Sequence, residues 1–275
     1  MKLTEAQQKQ WTEQGYLAID PFFTPRETEA LRAELERMYE ARRQAGASLN
    51  VAIQKDGTKR KDDGELQNLQ LIPLNDKSRL YRALPFHPKV SSVVGALIGD
   101  SFRLHLDQSF WKPARQGIGT QWHQDNAYFK IADPLRGTAM WIAIHDATIE
   151  NGTIHVIPGS YREQYEHYRD PFSDHHIRCD PPNEKEREQA VELKAGGVVF
   201  FCYGTAHCTK ENRTDHDRAG VALHFLHTDF TQHPSWETNA AMRPIVGGPQ
   251  ASGGMNEYGR MVEGAWDAEV DAVLG

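Results

Sequence analysis

Gln121-Trp122-His123-Gln124-Asp125-Asn126 sets an imidazole and a carboxylate two residues apart. If the stretch runs as a strand, residues two apart share a face, and His123 and Asp125 converge. Together they offer an imidazole nitrogen and a carboxylate oxygen, a two-point clamp for a divalent metal. Such pairs also arise as surface hydrogen-bonded pairs, so the flanking sequence has to decide. Upstream, Phe102, Leu104 and Leu106 alternate with Arg103, His105 and Asp107, the period-two signature of a strand. Downstream, strands are predicted over 138–149, 153–157, 191–194, 198–203 and 219–227, with Asn151-Gly152 and Gly196-Gly197 as punctuation. Many short strands in series predict a mainly β sandwich or barrel.

Before residue 100 the pattern reads as helical. Thr24-Pro25-Arg26-Glu27 combines a capping box with proline at the first helical position. Leu31, Leu35 and Met38 follow at helical spacing toward Gly46. A second helix is predicted from Pro88, with Val90, Val93, Val94 and Leu97 on one face and Gly99 ending it in a left-handed conformation. Residues 161–190 are too polar for a core strand and are expected to lie as an insertion over one end of the barrel. The expected organisation is one domain over 1–275: a helical part to about 100, a barrel over about 101–230, and a tail over about 236–275 with an amphipathic segment near 262–274.

The 275 residues are 39% hydrophobic and 25% charged, with a formal net charge of -7, which fits a globular protein and argues against a nucleic-acid partner. Three cysteines, Cys179, Cys202 and Cys208, suit a reducing compartment better than a disulfide framework. Cys208 is expected to be a small apolar neighbour of His207, not a ligand. No secretory leader is evident, and no apolar run approaches the roughly 18 residues of a membrane span. The expectation is a cytoplasmic protein with no membrane partner, as monomer or homodimer.

Among 13 histidines, His207 follows a predicted strand and the small apolar Gly204-Thr205-Ala206. Two histidines and a carboxylate make the facial triad of non-haem iron(II) oxygenases. The same three ligands also suit a zinc hydrolase. Arg218, eleven residues beyond His207, opens the next strand, where a guanidinium can grip a carboxylate through two hydrogen bonds. A zinc hydrolase has no obvious use for it. The alternative for Arg218 is a structural ion pair with Asp215 or Asp217. His224 shares strand parity with Arg218, either as a satisfied core histidine or in a substrate pocket. His175-His176 is expected to be exposed.

These residues give the chain a resemblance to the phytanoyl-CoA dioxygenase family of iron(II)/2-oxoglutarate oxygenases. His123-Gln124-Asp125, Glu150-Asn151-Gly152-Thr153, Pro158-Gly159-Ser160 and His207…Asn212…Arg218 stand in family order, after Gln14-Gly15-Tyr16-Leu17. The resemblance spans roughly residues 4–230. It implies a double-stranded β-helix, a jelly-roll or cupin-like barrel with flanking helices. It implies Fe(II) on His123, Asp125 and His207, with 2-oxoglutarate held by Arg218, assisted by Thr209, and lined by Trp141 and Gln108. O2 is the co-oxidant, with ascorbate supportive in vitro. Asn126, Tyr128 and Phe129 are implied to face substrate, with His105 and His224 as further candidates. Two positions depart from the pattern: Gly196-Gly197 where Gly-Asp is usual, and Tyr161 where a histidine often follows Pro-Gly-Ser.

The implied reaction is hydroxylation of an aliphatic C–H of a small metabolite or natural-product intermediate, releasing succinate and CO2. Desaturation, epoxidation or cyclisation use the same cofactors. Retention of Asp125 argues against halogenation, in which a small residue replaces the carboxylate. A CoA ester fits poorly, because the only basic cluster lies in the mixed-charge 55–61 segment. A small anion such as a phosphonate could use Lys59, Arg60, Lys61, Arg103 or Arg115. A non-catalytic small-molecule-binding barrel is the remaining alternative.

Overall fold

The computed structural model describes residues 1–58, 64–231 and 240–275. Helix α1 (Glu5–Gln14) and helix α2 (Pro25–Gln44) both start on capping boxes. In α2, Glu27 N donates to Thr24 Oγ1 (3.3 Å) and Thr24 N donates to Glu27 Oε2 (2.7 Å), satisfying two orphan amides. A short α3 (Arg79–Ala83) and α4 (Pro88–Ile98) complete the N-terminal helices. Gly99 has positive φ (103°), but its ψ of 154° lies outside the left-handed helical region expected for it.

The main sheet has seven strands, all antiparallel. Its order is β1 (Tyr16–Ile19), β9 (Val198–Cys202), β4 (Gly137–Ala143), β11 (Arg218–His227), β3 (Phe102–Lys112) and β12 (Ile245–Gly247), with β2 (Leu69–Leu71) also pairing β3. A smaller sheet orders β10 (His207–Thr209), β5 (Ile154–Val156) and β8 (Gln189–Val191). β1 and β2 add strands to the first hundred residues, where the sequence predicts a mainly helical part: four- and three-residue strands are too short to show a period. The predicted 138–149 strand stops at Ala143, and residues 144–149 turn away.

Alternation divides the main sheet between two cores. Met140, Ile142, Val198, Phe200, Val221 and Leu223 pack with Leu31, Leu35, Val90 and Val94 of the helices. Ala139, Trp141, Val199, Phe201 and Ala222 point the other way and meet Ile154, Val156 and Val191 of the small sheet. The protein is thus layered as helices, large sheet, small sheet, and the candidate site lies between the sheets.

One irregularity tunes the inner face. β11 pairs Phe225 with Leu104 but His224 with Leu106, so β3 carries an extra residue, His105, as a bulge. Phe102 and Leu104 therefore join the helix-side core, whereas Leu106, Gln108, Phe110 and Lys112 line the cavity between the sheets. Strict alternation puts Leu106 on the same face as Leu104; the bulge reverses it. Asp107, on the helix side, accepts from the Leu74 and Asn75 amides (3.0 and 2.7 Å).

Residues 161–190 carry little core. They include a two-stranded hairpin, β6 (Tyr168–Arg169) with β7 (Ile177–Arg178). Near the C-terminus the helix Trp266–Leu274 packs on α2 and α3, with Trp266 Nε1 donating to Glu27 Oε1 (2.8 Å). The three cysteines are buried and unpaired. Among the described residues no helix is long and apolar enough to cross a membrane. Lys59, Arg60 and Lys61 lie outside the described residues.

Candidate active site

A cavity of about 230 Å³ opens between the sheets. At one end, ligand atoms of His123, Asp125 and His207 lie within 4.8 Å of one another. Asp125 Oδ1 stands 3.8 Å from Nε2 of each histidine. The motif reaches this geometry by a turn, not by a strand as the spacing suggests. Only His123 pairs as a single bridge, with His207 of β10, exchanging both backbone hydrogen bonds at 3.0 Å. Asp125 then leads into a one-turn helix, α5 (Asn126–Phe129).

Both imidazoles are oriented for a metal. His123 Nδ1 faces Gln121 O at 2.8 Å and His207 Nδ1 faces Thr205 O at 2.9 Å. A carbonyl oxygen only accepts, so each Nδ1 carries the proton and each Nε2 presents its lone pair. Burial, with the nearby His123, holds His207 down to about 3, so it stays neutral and available. Burial alone would raise the Asp125 carboxyl, but His207, His224 and His123 around it hold it well below the usual range. A buried carboxylate facing two unprotonated imidazole nitrogens fits a divalent cation. Oδ2 of Asp125 has no hydrogen-bond partner among the described residues.

The other end of the cavity is cationic. Arg218, the first residue of β11, is 1% exposed, and its guanidinium lies 5.5 Å from the Trp141 ring centroid. Its Nη2 donates to Gly152 O. The ion-pair alternative is not what the structure holds. Asp215 pairs with Arg115 (2.7 Å), and Asp217 accepts from Trp111 Nε1 and the Ala114 amide (2.8 Å each). No carboxylate of the described residues pairs with Arg218, and burial pulls its pKa down to about 9.

A second cation, unnoticed in the sequence, stands opposite it. Lys112 is the cross-strand partner of Arg218 and is likewise 1% exposed. Its Nζ donates to Thr209 Oγ1 (2.8 Å) and to Lys210 O. Burial and the neighbouring Arg218 push its pKa well below the usual lysine value. Thr209 Oγ1 also accepts from the Thr120 amide (3.0 Å), which leaves its own proton for Thr120 Oγ1 or for a ligand. Trp141 fits here because Gly220 opposes it: a Cβ on Gly220 would sit 2.4 Å from Trp141 Cζ2.

The remaining predicted residues divide. Gln108 lines the cavity and accepts from Gln70 Nε2 (2.8 Å). Tyr128, Phe129 and His224 also line it, and Tyr128 Oη accepts from the Ile177 amide of the hairpin (2.9 Å). Asn126 turns elsewhere, its amide bonded to Ile131 N and O (2.9 and 3.0 Å). His105 sits behind the wall, 3.1 Å from Tyr203 Oη with its ring against Phe129. His175 and His176 both line the cavity mouth, and His176 is half-buried, correcting the expectation that the pair is simply exposed.

The family model for phytanoyl-CoA dioxygenase (PhyH) matches residues 11–220. The chain belongs to the phytanoyl-CoA dioxygenase family. Among relatives, a phytanoyl-CoA dioxygenase of Arabidopsis thaliana is 27% identical, with 78% of this chain and 86% of that protein covered. An ectoine dioxygenase of Stutzerimonas stutzeri is 24% identical, with 78% and 74% covered. Among solved structures, EctD from S. alaskensis with 2-oxoglutarate and 5-hydroxyectoine superposes with a TM-score of 0.66 at 19% identity, over 85% of this chain and 79% of that one. The non-heme alpha-ketoglutarate-dependent carbocyclase SnoK superposes with a TM-score of 0.65 at 23% identity, over 82% and 85%. This family member therefore shares its fold with such enzymes.

Proposed function

We propose that this chain is an Fe(II)- and 2-oxoglutarate-dependent dioxygenase that hydroxylates an aliphatic C–H of a small metabolite or natural-product intermediate. The observation that carries the reading is the pairing, in one cavity, of a His-Asp-His cluster with a buried arginine that no carboxylate of the described residues pairs with. In this reading the facing sheets are the two halves of a double-stranded β-helix, and 1–275 acts as one domain.

Bound iron(II), with 2-oxoglutarate and O2, supplies the oxidising chemistry and leaves succinate and CO2. His123 and His207 offer Nε2, and Asp125 offers Oδ1, to the metal. Arg218, with Lys112 and Thr209, receives the far carboxylate of 2-oxoglutarate against Trp141, in a dry pocket where a charge-assisted hydrogen bond is strong. Gln108 and Gln70 lie farther along the same wall. Tyr128, Phe129, His176 and the 168–178 hairpin border the entrance, where they orient substrate and keep water out. The three buried cysteines suit a reducing, cytoplasmic setting. A zinc hydrolase is the weaker reading, since it leaves the buried Arg218 without a task. The similar folds of an enzyme solved with 5-hydroxyectoine and of a carbocyclase keep cyclisation as the second outcome.

The test is succinate release from 2-oxoglutarate with Fe(II), ascorbate and a panel of neutral and anionic metabolites. Turnover is expected in the wild type and absent from Asp125→Ala. An iron-loaded wild type with neither coupled nor uncoupled turnover would refute the reading.

A further inference from the structure

We infer that His224 is a positioning residue: it holds the far oxygen of Asp125 so that the near oxygen stays turned toward the metal position. The inference rests on the metal-site reading of His123, Asp125 and His207. Asp125 is 5% exposed, and its two oxygens face different neighbours. Oδ1 is equidistant, at 3.8 Å, from Nε2 of both triad histidines. Oδ2 is 3.3 Å from Nε2 of His224, in polar contact but not aligned as a hydrogen bond, and it makes no hydrogen bond to any other described residue.

His224 is placed to hold this position. It lies inside β11, paired across the sheet with Leu106 on one side and Ala139 on the other. It is 4% exposed, and Phe129 meets its ring edge-on at 5.7 Å. A carboxylate oxygen can only accept, so a hydrogen bond between the two needs the proton on the nitrogen facing Asp125. Nδ1, which has no partner, is then a bare lone pair, less costly to bury than an unsatisfied N–H. His224 falls outside the group whose ligand atoms converge within 4.8 Å, so it is a brace and not a fourth ligand. Without it, Asp125 keeps only the two ligating histidines, and its carboxylate is free to rotate about Cβ–Cγ.

The experiment titrates Co(II), followed by visible absorption, and Mn(II), followed by EPR, into wild type and variants. Far-UV circular dichroism of the metal-free proteins checks folding. Removing a partner of this kind costs about 10–100-fold in metal affinity. That loss is expected for His224→Leu, with an altered Co(II) spectrum. Glutamine can place its amide nitrogen near the Nε2 position, so His224→Gln should recover most of the affinity and the wild-type spectrum. Asparagine reaches only the Nδ1 position, so His224→Asn should behave like leucine. A folded His224→Leu that binds both metals as tightly as wild type overturns the inference. If leucine does not fold, equal affinities for the asparagine and glutamine variants overturn it. Failure of the wild type to bind either metal sinks the underlying metal-site reading instead.

Discussion

Lys112 and Arg218 face each other across β3 and β11, both 1% exposed, with no acidic side chain of the described residues paired to either. Two buried like charges are expensive to hold together unless an anion joins them. Hydrogen bonds to charged groups contribute about 1.5–3 kcal/mol, so Lys112→Met is expected to weaken 2-oxoglutarate binding roughly 10–100-fold. Arg218→Met should do at least as much. Quenching of tryptophan fluorescence in Mn(II)-loaded protein measures it, and unchanged affinity in both variants would remove the cosubstrate assignment. Gly220 is constrained from the other side: its Cβ would meet Trp141 Cζ2 at 2.4 Å. Gly220→Ala is therefore expected to destabilise by about 1–3 kcal/mol, read from the thermal midpoint. Arg218 was legible because it follows His207 at a telling distance. Lys112 was not, because a lysine ending a strand looks like an ordinary surface charge until the partner strand is known.

The hairpin of β6 and β7 is tied to the site by the Ile177 amide donating to Tyr128 Oη (2.9 Å). Tyr128→Phe removes that bond at a cost of about 1 kcal/mol, and the Ile177 amide should exchange roughly fivefold faster with solvent deuterium. Unchanged exchange would show that the hairpin is held by other contacts. His176 adds a pH dependence, since burial and the adjacent His175 hold it down to about 3. Its proton is taken up by the unfolded chain first, so the native state loses stability as pH falls from about 6.5 toward about 3. The slope is at most ~1.4 kcal/mol per pH unit for one group, and His176→Gln should flatten the stability profile over that window. An unchanged profile would clear His176 of the effect. At this scale the strands around the motif were readable from alternation. The His123–Asp125 turn was not, because His-x-Asp spacing serves a strand and a tight turn equally well.

The helical layer, the large sheet and the C-terminal helix share one core, in which Trp266 packs against Phe23 and His87. Glu27 joins them, accepting from Trp266 Nε1 (2.8 Å) while also contacting His87 Nε2 (2.9 Å). Truncating a buried tryptophan costs about 3–5 kcal/mol, so Trp266→Ala should lower the thermal midpoint of the whole chain in a single transition. Two separated transitions would instead divide the chain into units. The layered β fold was legible because burial imposes periods on the sequence, and the convergence of His123, Asp125 and His207 was legible from residue type and order. The bulge at His105 was not, since one extra residue leaves hydrophobicity intact and changes only which side it serves. That bulge splices two phases into β3. Phe102 and Leu104 obey the helices, while Leu106 to Lys112 obey the cavity. Variation on the chamber side can thus proceed without repacking the helical side, whereas a bulge-free register that paired His105 with His224 would slip Leu106 to Lys112 by one position and turn each to the other face. Lys112 would then leave the chamber and Asp107 would enter it, reversing the sign of the charge that β3 presents there.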